Sequence, residues 1–123
     1  MKKKNNYGFA TKTIHSGASP EAITGARNTP IYQTTSYVFN NTEHAKRLFS
    51  LQDFGFIYSR LTNPTISVLE ERVASIEKSR AAVACSSGHA AQQLAFIPLL
   101  SNGDHFISSN KLYGGSINQF SKT

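Results

Sequence analysis

The sequence predicts an α/β fold, and three observations carry that reading. Residues 81–86 (Ala-Ala-Val-Ala-Cys-Ser) form a short apolar run closed by Ser87-Gly88, the pattern of a buried strand. Residues 89–100 follow, rich in Ala, Gln and Leu, with the length of a helix. After the turn signal Asn102-Gly103-Asp104, residues 105–108 (His-Phe-Ile-Ser) read as a second strand. Strand, helix and strand joined by short links make a parallel βαβ unit. One such unit does not complete a doubly wound sheet. Thr123 falls within what reads as the first turns of another helix, with no stop signal. The chain is therefore expected to be the front part of a larger α/β protein.

The other elements can be justified in chain order. Residues 1–36 carry Gly8, Gly17, Pro20, Gly25 and Pro30 among Ser, Thr and Asn, with no sustained period of 2 or 3.6. So long an irregular stretch is unusual inside a compact domain and suits an arm laid across another surface. Thr42 is expected to cap a short helix over residues 43–51, ended by Asp53-Phe54-Gly55-Phe56. Asn63-Pro64 is a helix start: Asn caps, and Pro has no N–H to leave unpaired in the first turn. Ile66, Leu69, Val73 and Ile76 then recur at helical spacing, predicting an apolar face on a helix ending near Lys78. Ser75 and Lys78 match a Ser-x-x-Lys pair, but late on an amphipathic helix they read as ordinary surface residues. Residues 116–120 begin a last element after Tyr113-Gly114-Gly115.

Composition excludes several classes of function. The chain has 123 residues, 13 Lys+Arg and 7 Asp+Glu, for a net charge of +6. Lys2, Lys3 and Lys4 supply half of that excess as a solvated tail, and the other basic residues are scattered, so no nucleic-acid partner is expected. The single cysteine, Cys85, excludes an intrachain disulfide, and within its apolar run it is expected to be an inert core residue. No apolar run is long enough to span a bilayer, and the basic N-terminus has no apolar segment behind it. The expected location is cytoplasmic, without a membrane partner. His15, His44, His89 and His105 show no metal-ligand spacing, so no metal site is expected.

Three places have chemical potential. Ser86-Ser87-Gly88-His89-Ala90-Ala91 joins the first strand to a helix, where free N–H groups and the helix dipole favour an anion. Gly88 lets that anion approach the backbone and the serines add hydroxyl donors, although a plain strand-to-helix turn accounts for the same residues. Tyr58 and Arg60 flank Ser59 just before the Asn63-Pro64 start, and the arginine offers a planar fork for carboxylate or phosphate. Tyr113 follows the second strand, at the carboxyl edge where α/β folds bind ligands, and its ring suits a flat partner.

Four stretches occur in a telling order: Pro30-Ile31-Tyr32-Gln33-Thr34-Thr35-Ser36-Tyr37, Tyr58-Ser59-Arg60-Leu61-Thr62-Asn63-Pro64-Thr65, Ser86-Ser87-Gly88-His89-Ala90-Ala91 and Leu112-Tyr113-Gly114-Gly115-Ser116. Together they resemble the Cys/Met-metabolism family of pyridoxal-phosphate enzymes, from about Lys12 onward. Residues 39–45 and 48–55 look most like the O-acetylhomoserine sulfhydrylases within it. The resemblance implies a fold-type I, aspartate aminotransferase-like protein. Residues 1–57 would form an N-terminal arm with a short helix, packed on a neighbouring subunit. Residues 58–123 would begin the cofactor-binding α/β domain.

The same resemblance implies roles. Gly88 and His89 would give backbone N–H groups to the phosphate of pyridoxal 5'-phosphate, with Ser87 beside them. Tyr113 would stack on the pyridine ring and assist proton movement at the substrate. Tyr58 and Arg60 would bind the phosphate of a neighbouring subunit's cofactor, giving a homo-oligomer, usually a tetramer, with shared active sites. Gly115 stands where methionine γ-lyases carry a cysteine, which argues against that activity. The implied reaction is γ-replacement: O-acetyl-L-homoserine and sulfide give L-homocysteine and acetate, in methionine biosynthesis. Cystathionine γ-synthase or γ-lyase is the alternative within the family, and a non-catalytic gene remnant the alternative outside enzymes. The family's catalytic lysine, in a Ser-x-Thr-Lys motif, its pyridinium-pairing aspartate and its substrate-binding arginine all lie downstream and are absent here. Residues 1–123 alone are therefore expected to be inactive.

Overall fold

The computed structural model describes residues 7–122. Five helices form among them: α1 (Phe9–His15), α2 (Thr42–Phe49), α3 (Pro64–Ile76), α4 (Gly88–Phe96) and α5 (Gly114–Lys122). The chain divides into two compact units, one up to Val83 and one from Ala84. Lys2, Lys3 and Lys4 lie outside the described residues.

In the first unit α1 packs on α3. This helix departs from the expected irregular arm. None of its residues is buried, and Phe9 and Ile14 are exposed, so it carries no apolar stripe that periodicity would reveal. Polar contacts after its end hold it instead. The Arg72 Nε donates to the Ser16 carbonyl at 3.0 Å, and the Ser16 and Ser75 hydroxyls lie 3.0 Å apart. Gly17, at φ +75°, makes the turn against α3.

Asn41, not Thr42, caps α2: its side chain accepts from the His44 N–H at 2.8 Å, which makes Thr42 the first helical residue. The helix ends at Phe49 because Leu51 turns to φ 58° and the Gln52 N–H bonds the Arg47 carbonyl at 2.9 Å. That is the six-to-one closure of a Schellman motif, made without glycine. An Arg47–Asp53 pair at 2.8 Å ties down the turn. Leu48 is buried, and Gly55 lets the chain close over it, since a Cβ there would lie 2.8 Å from Leu48 Cδ2.

Asn63 and Pro64 start α3 as predicted, with Asn63 accepting from the Thr65 N–H at 2.9 Å. The helix stops at Ile76 through a second Schellman closure, with Lys78 at φ 55° and the Ser79 N–H on the Ala74 carbonyl at 2.9 Å. The predicted stripe is not its packed face: Ile66, Leu69 and Val73 are exposed, and Ala74 is the buried residue. Contacts to the segment after α1 engage Arg72 and Ser75, which lie off the stripe.

In the second unit α4 and α5 enclose a cluster of three rings. Phe96 stacks on Phe106 at 5.0 Å between centroids, and Phe120 meets both edge-on at 5.2 Å. The helix predicted to reach residue 100 ends at Phe96, two residues before Pro98. The expected strands at 81–86 and 105–108 do not form ladders among the described residues; the β-type pairing there is the isolated bridge between Ser36 and Tyr58. A strand exists only against a neighbour 4.7–4.9 Å away, as about the spacing of any sheet, and neither segment has one. For the same reason Cys85 is exposed rather than in a core.

Candidate functional site

The second unit brings Ser87, Gly88, His89 and Tyr113 together. Ser87 caps α4, its hydroxyl oxygen accepting from the Ala90 N–H at 3.1 Å. That bond leaves the hydroxyl proton free to donate outward. The N–H groups of Gly88 and His89 open the helix and have no intrahelical acceptor. Both residues are exposed, and a Cβ on Gly88 would meet nothing within 4 Å, so the turn is open to an approaching anion.

Tyr113 stands at the start of α5. Its carbonyl accepts from the N–H groups of Ser116 at 2.9 Å and Ile117 at 3.1 Å, which anchors its backbone, while the residue as a whole is 75% exposed. The His89 and Tyr113 rings are 6.0 Å apart, tilted by 34°. Gly115 makes this approach possible: a Cβ there would lie 2.5 Å from Tyr113 Cε1 and 2.9 Å from His89 Cε1.

The first unit holds Tyr58 and Arg60. The Arg60 guanidinium lies over the Tyr58 ring, with Cζ 5.2 Å from its centroid, a cation–π contact. These residues sit where two of the four stretches, 30–37 and 58–65, meet. The Ser59 N–H donates to the Thr35 carbonyl at 2.9 Å, and the Tyr37 N–H to the Ile57 carbonyl at 3.2 Å. The Ser59 hydroxyl bonds the Thr34 carbonyl, and Thr65 donates to the Pro30 carbonyl at 2.8 Å. Asn63 is the hub: 6% exposed, it caps α3 and also donates to the Tyr32 carbonyl at 2.9 Å and to Ser59 Oγ at 3.0 Å.

Sequence reasoning found the cap at Asn63 but missed its second role and that of Ser59. The available signal was the density of small polar residues in both stretches, at a helix start that needs only one. Gln92 and Gln119, which join α4 to α5, were also missed; for Gln92 the clue was its place among Ala, Leu and Phe in residues 90–96, and Gln119 had none. Among the described residues no three His, Cys, Asp or Glu are placed to share a metal ion. No helix there is long and apolar enough to cross a membrane.

Comparison with known proteins gives a consistent result. The model of the "Cys/Met metabolism PLP-dependent enzyme" family matches residues 10–123. The chain is 53% identical over 115 residues to O-acetyl-L-homoserine sulfhydrylase 1 of Thermus thermophilus, covering 94% of this chain and 27% of that protein. It is also 53% identical to O-acetyl-L-homoserine sulfhydrylase of Corynebacterium glutamicum, covering 91% of this chain and 26% of the relative. Thus the chain spans roughly a quarter of the length of the curated relatives it matches. Among solved structures, an O-acetylhomoserine (thiol)-lyase from Campylobacter jejuni, holding N'-pyridoxyl-lysine-5'-monophosphate, superposes with a TM-score of 0.88 at 39% identity. That match covers 95% of this chain and 29% of the other. MetB from Corynebacterium glutamicum superposes with a TM-score of 0.82 at 37% identity, covering 94% of this chain and 28% of its own. The backbone path is thus that of the fold-type I α/β enzymes, although the described residues form no sheet ladder.

Proposed function

The chain belongs to the Cys/Met metabolism family of pyridoxal-phosphate-dependent enzymes, and from that premise we propose that it is part of an O-acetylhomoserine sulfhydrylase. The reaction is replacement at Cγ: the bond to the acetyl ester oxygen breaks, a carbon–sulfur bond to sulfide forms, and homocysteine and acetate leave. The observation that carries this reading is the open start of α4 beside the exposed Tyr113 ring, in a chain 53% identical to two proteins named for that activity.

The residues fit the cofactor. A phosphate needs donors it can reach, and Gly88 offers both an N–H and unobstructed space. A pyridine ring needs a flat, exposed neighbour, and Tyr113 is one. When bound, pyridoxal phosphate supplies an electron sink for charge developing on the substrate carbons. The protein's part in this segment is positioning. Gly88 and His89 hold the phosphate through their N–H groups, and the Ser87 hydroxyl donates a third bond. Tyr113 holds the ring plane by stacking, and its Oη is the atom that carries a proton at the substrate. Tyr58 and Arg60 reach the phosphate held by a neighbouring subunit, so the active site is shared in a homo-oligomer, a tetramer of paired dimers. The segment up to residue 57 then serves as an arm on that neighbour, and the enzyme works in the cytoplasm.

The test uses the protein expressed from its complete reading frame. With pyridoxal phosphate, O-acetylhomoserine and sulfide, mass spectrometry is expected to detect homocysteine. If cysteine serves as the sulfur donor and sulfide does not, the product is cystathionine and the reading moves to a cystathionine γ-synthase.

A further inference from the structure

The α4–α5 contact is made by two glutamines. The Gln92 Nε2 donates to the Ser116 hydroxyl at 2.8 Å, and the Gln119 Nε2 donates to the His89 carbonyl at 3.2 Å. Ser116 is only 4% exposed, so the first bond is well shielded from water. Both glutamines leave their Oε1 buried without a partner among the described residues. Leaving a buried acceptor without a donor is costly, and an apolar side chain of similar shape avoids that cost. Packing alone therefore does not favour glutamine at either position. The Nε2 bonds are what these side chains contribute.

The placement of those bonds is informative. Gln119 fastens the middle of α5 to the carbonyl of His89, whose own N–H is one of the two free donors at the start of α4. Gln92 fastens α4 to the first turn of α5, three residues beyond Tyr113. Between these ties the Gly115 backbone lies close to the His89 and Tyr113 rings. The two bonds thus fix the separation between the anion-binding turn and the stacking ring.

We propose that Gln92 and Gln119 are positioning residues: they fix Tyr113 relative to the N–H groups of Gly88 and His89, so that one pyridoxal phosphate would engage both. This rests on the cofactor reading given above. Neither glutamine needs to touch the cofactor. Their effect is on a ligand that bridges both helices, and not on one that uses α4 alone.

The test compares two ligands on the protein from its complete reading frame, freed of cofactor. Pyridoxal phosphate engages both ends, whereas inorganic phosphate engages only the turn. Gln119→Leu and Gln92→Leu are each expected to weaken pyridoxal phosphate about tenfold, to leave inorganic phosphate within about twofold, and to alter the circular dichroism of the bound cofactor. An equal loss for both ligands would show a merely structural role and overturn the proposal. Unchanged pyridoxal phosphate binding in folded leucine variants would overturn it as well. Failure of the unsubstituted protein to bind pyridoxal phosphate would instead overturn the cofactor reading. If the leucine variants do not fold, Gln92→Met and Gln119→Met, which keep the length of the side chain, give the same comparison.

Discussion

Asn63 does three jobs with one amide, and each has a separate partner. Its oxygen caps α3 through Thr65, and its nitrogen holds the Tyr32 carbonyl and Ser59 Oγ. Asn63→Ala removes a cap worth about 1 kcal/mol and leaves a carbonyl and a hydroxyl short of a donor, so a loss of about 2–3 kcal/mol is expected in chemical denaturation. Asn63→Asp keeps the acceptor and loses both donors, and is expected to be destabilising as well. Gly17 is constrained by space and by φ together: at +75°, a Cβ would meet the Val68 carbonyl oxygen at 2.6 Å. Backbone cannot yield as a flexible side chain does, and Gly17→Ala is expected to cost about 2 kcal/mol or more. Leu51 and Lys78 present the opposite case. Both occupy positive φ at Schellman turns where glycine is the unstrained choice. Leu51 is 87% exposed, so little packing is lost on truncation. Leu51→Gly and Lys78→Gly are each expected to raise stability by about 0.5–1 kcal/mol, since relief of the left-handed strain outweighs the entropy glycine loses.

At the scale of elements, the start of α4 is where helix stability and the proposed cofactor binding share an atom. Ser87→Ala removes the bond to the Ala90 N–H and should cost about 1 kcal/mol of helix stability. It also removes the hydroxyl donor, so pyridoxal phosphate is expected to bind more weakly in equilibrium dialysis, while Ser87→Thr retains both functions. The loop over residues 21–26 carries its own pH response. Glu21 accepts from the Thr24 N–H at 2.7 Å, the Ile23 N–H at 3.0 Å and the Thr24 hydroxyl at 3.0 Å. These bonds, the Thr24 N–H first, hold its carboxyl below the usual carboxylate range. A pKa lowered on folding stabilises the loop above the unfolded value and ceases to do so as pH falls through the folded one. Amide exchange at Thr24 is therefore expected to speed up on acidification through that range, and Glu21→Gln should abolish the dependence.

For the whole molecule, the dominant fact is how little is buried. Leu48 and Ala74 are the buried apolar residues among those described, whereas Val38, Phe54 and Ile107 are almost fully exposed. The chain spans roughly a quarter of the length of the curated relatives it matches. The 123-residue chain, purified and supplied with pyridoxal phosphate, O-acetylhomoserine and sulfide, is expected to form no homocysteine above a blank. Neither Lys111 nor Lys122 lies in a Ser-x-Thr-Lys setting. Turnover by that chain would overturn this expectation.

Local chemistry was legible in the linear sequence. Asn63-Pro64 marked the start of α3, Ser87-Gly88 marked the turn into α4, and four ordered stretches marked the family. These signals act within a few residues, through caps, missing N–H groups and backbone freedom, so no distant partner is needed to read them. What required a partner was decided only in three dimensions. Helix α1 has no apolar period of its own and depends on contacts to α3. The stripe on α3 is real as a pattern but stays uncovered here. The runs at 81–86 and 105–108 have strand composition, yet a ladder needs a neighbouring strand and none stands beside them. The ties from Gln92 and Gln119, and the meeting of Pro30–Tyr37 with Tyr58–Thr65, join residues more than twenty positions apart, a distance over which composition and periodicity carry no information.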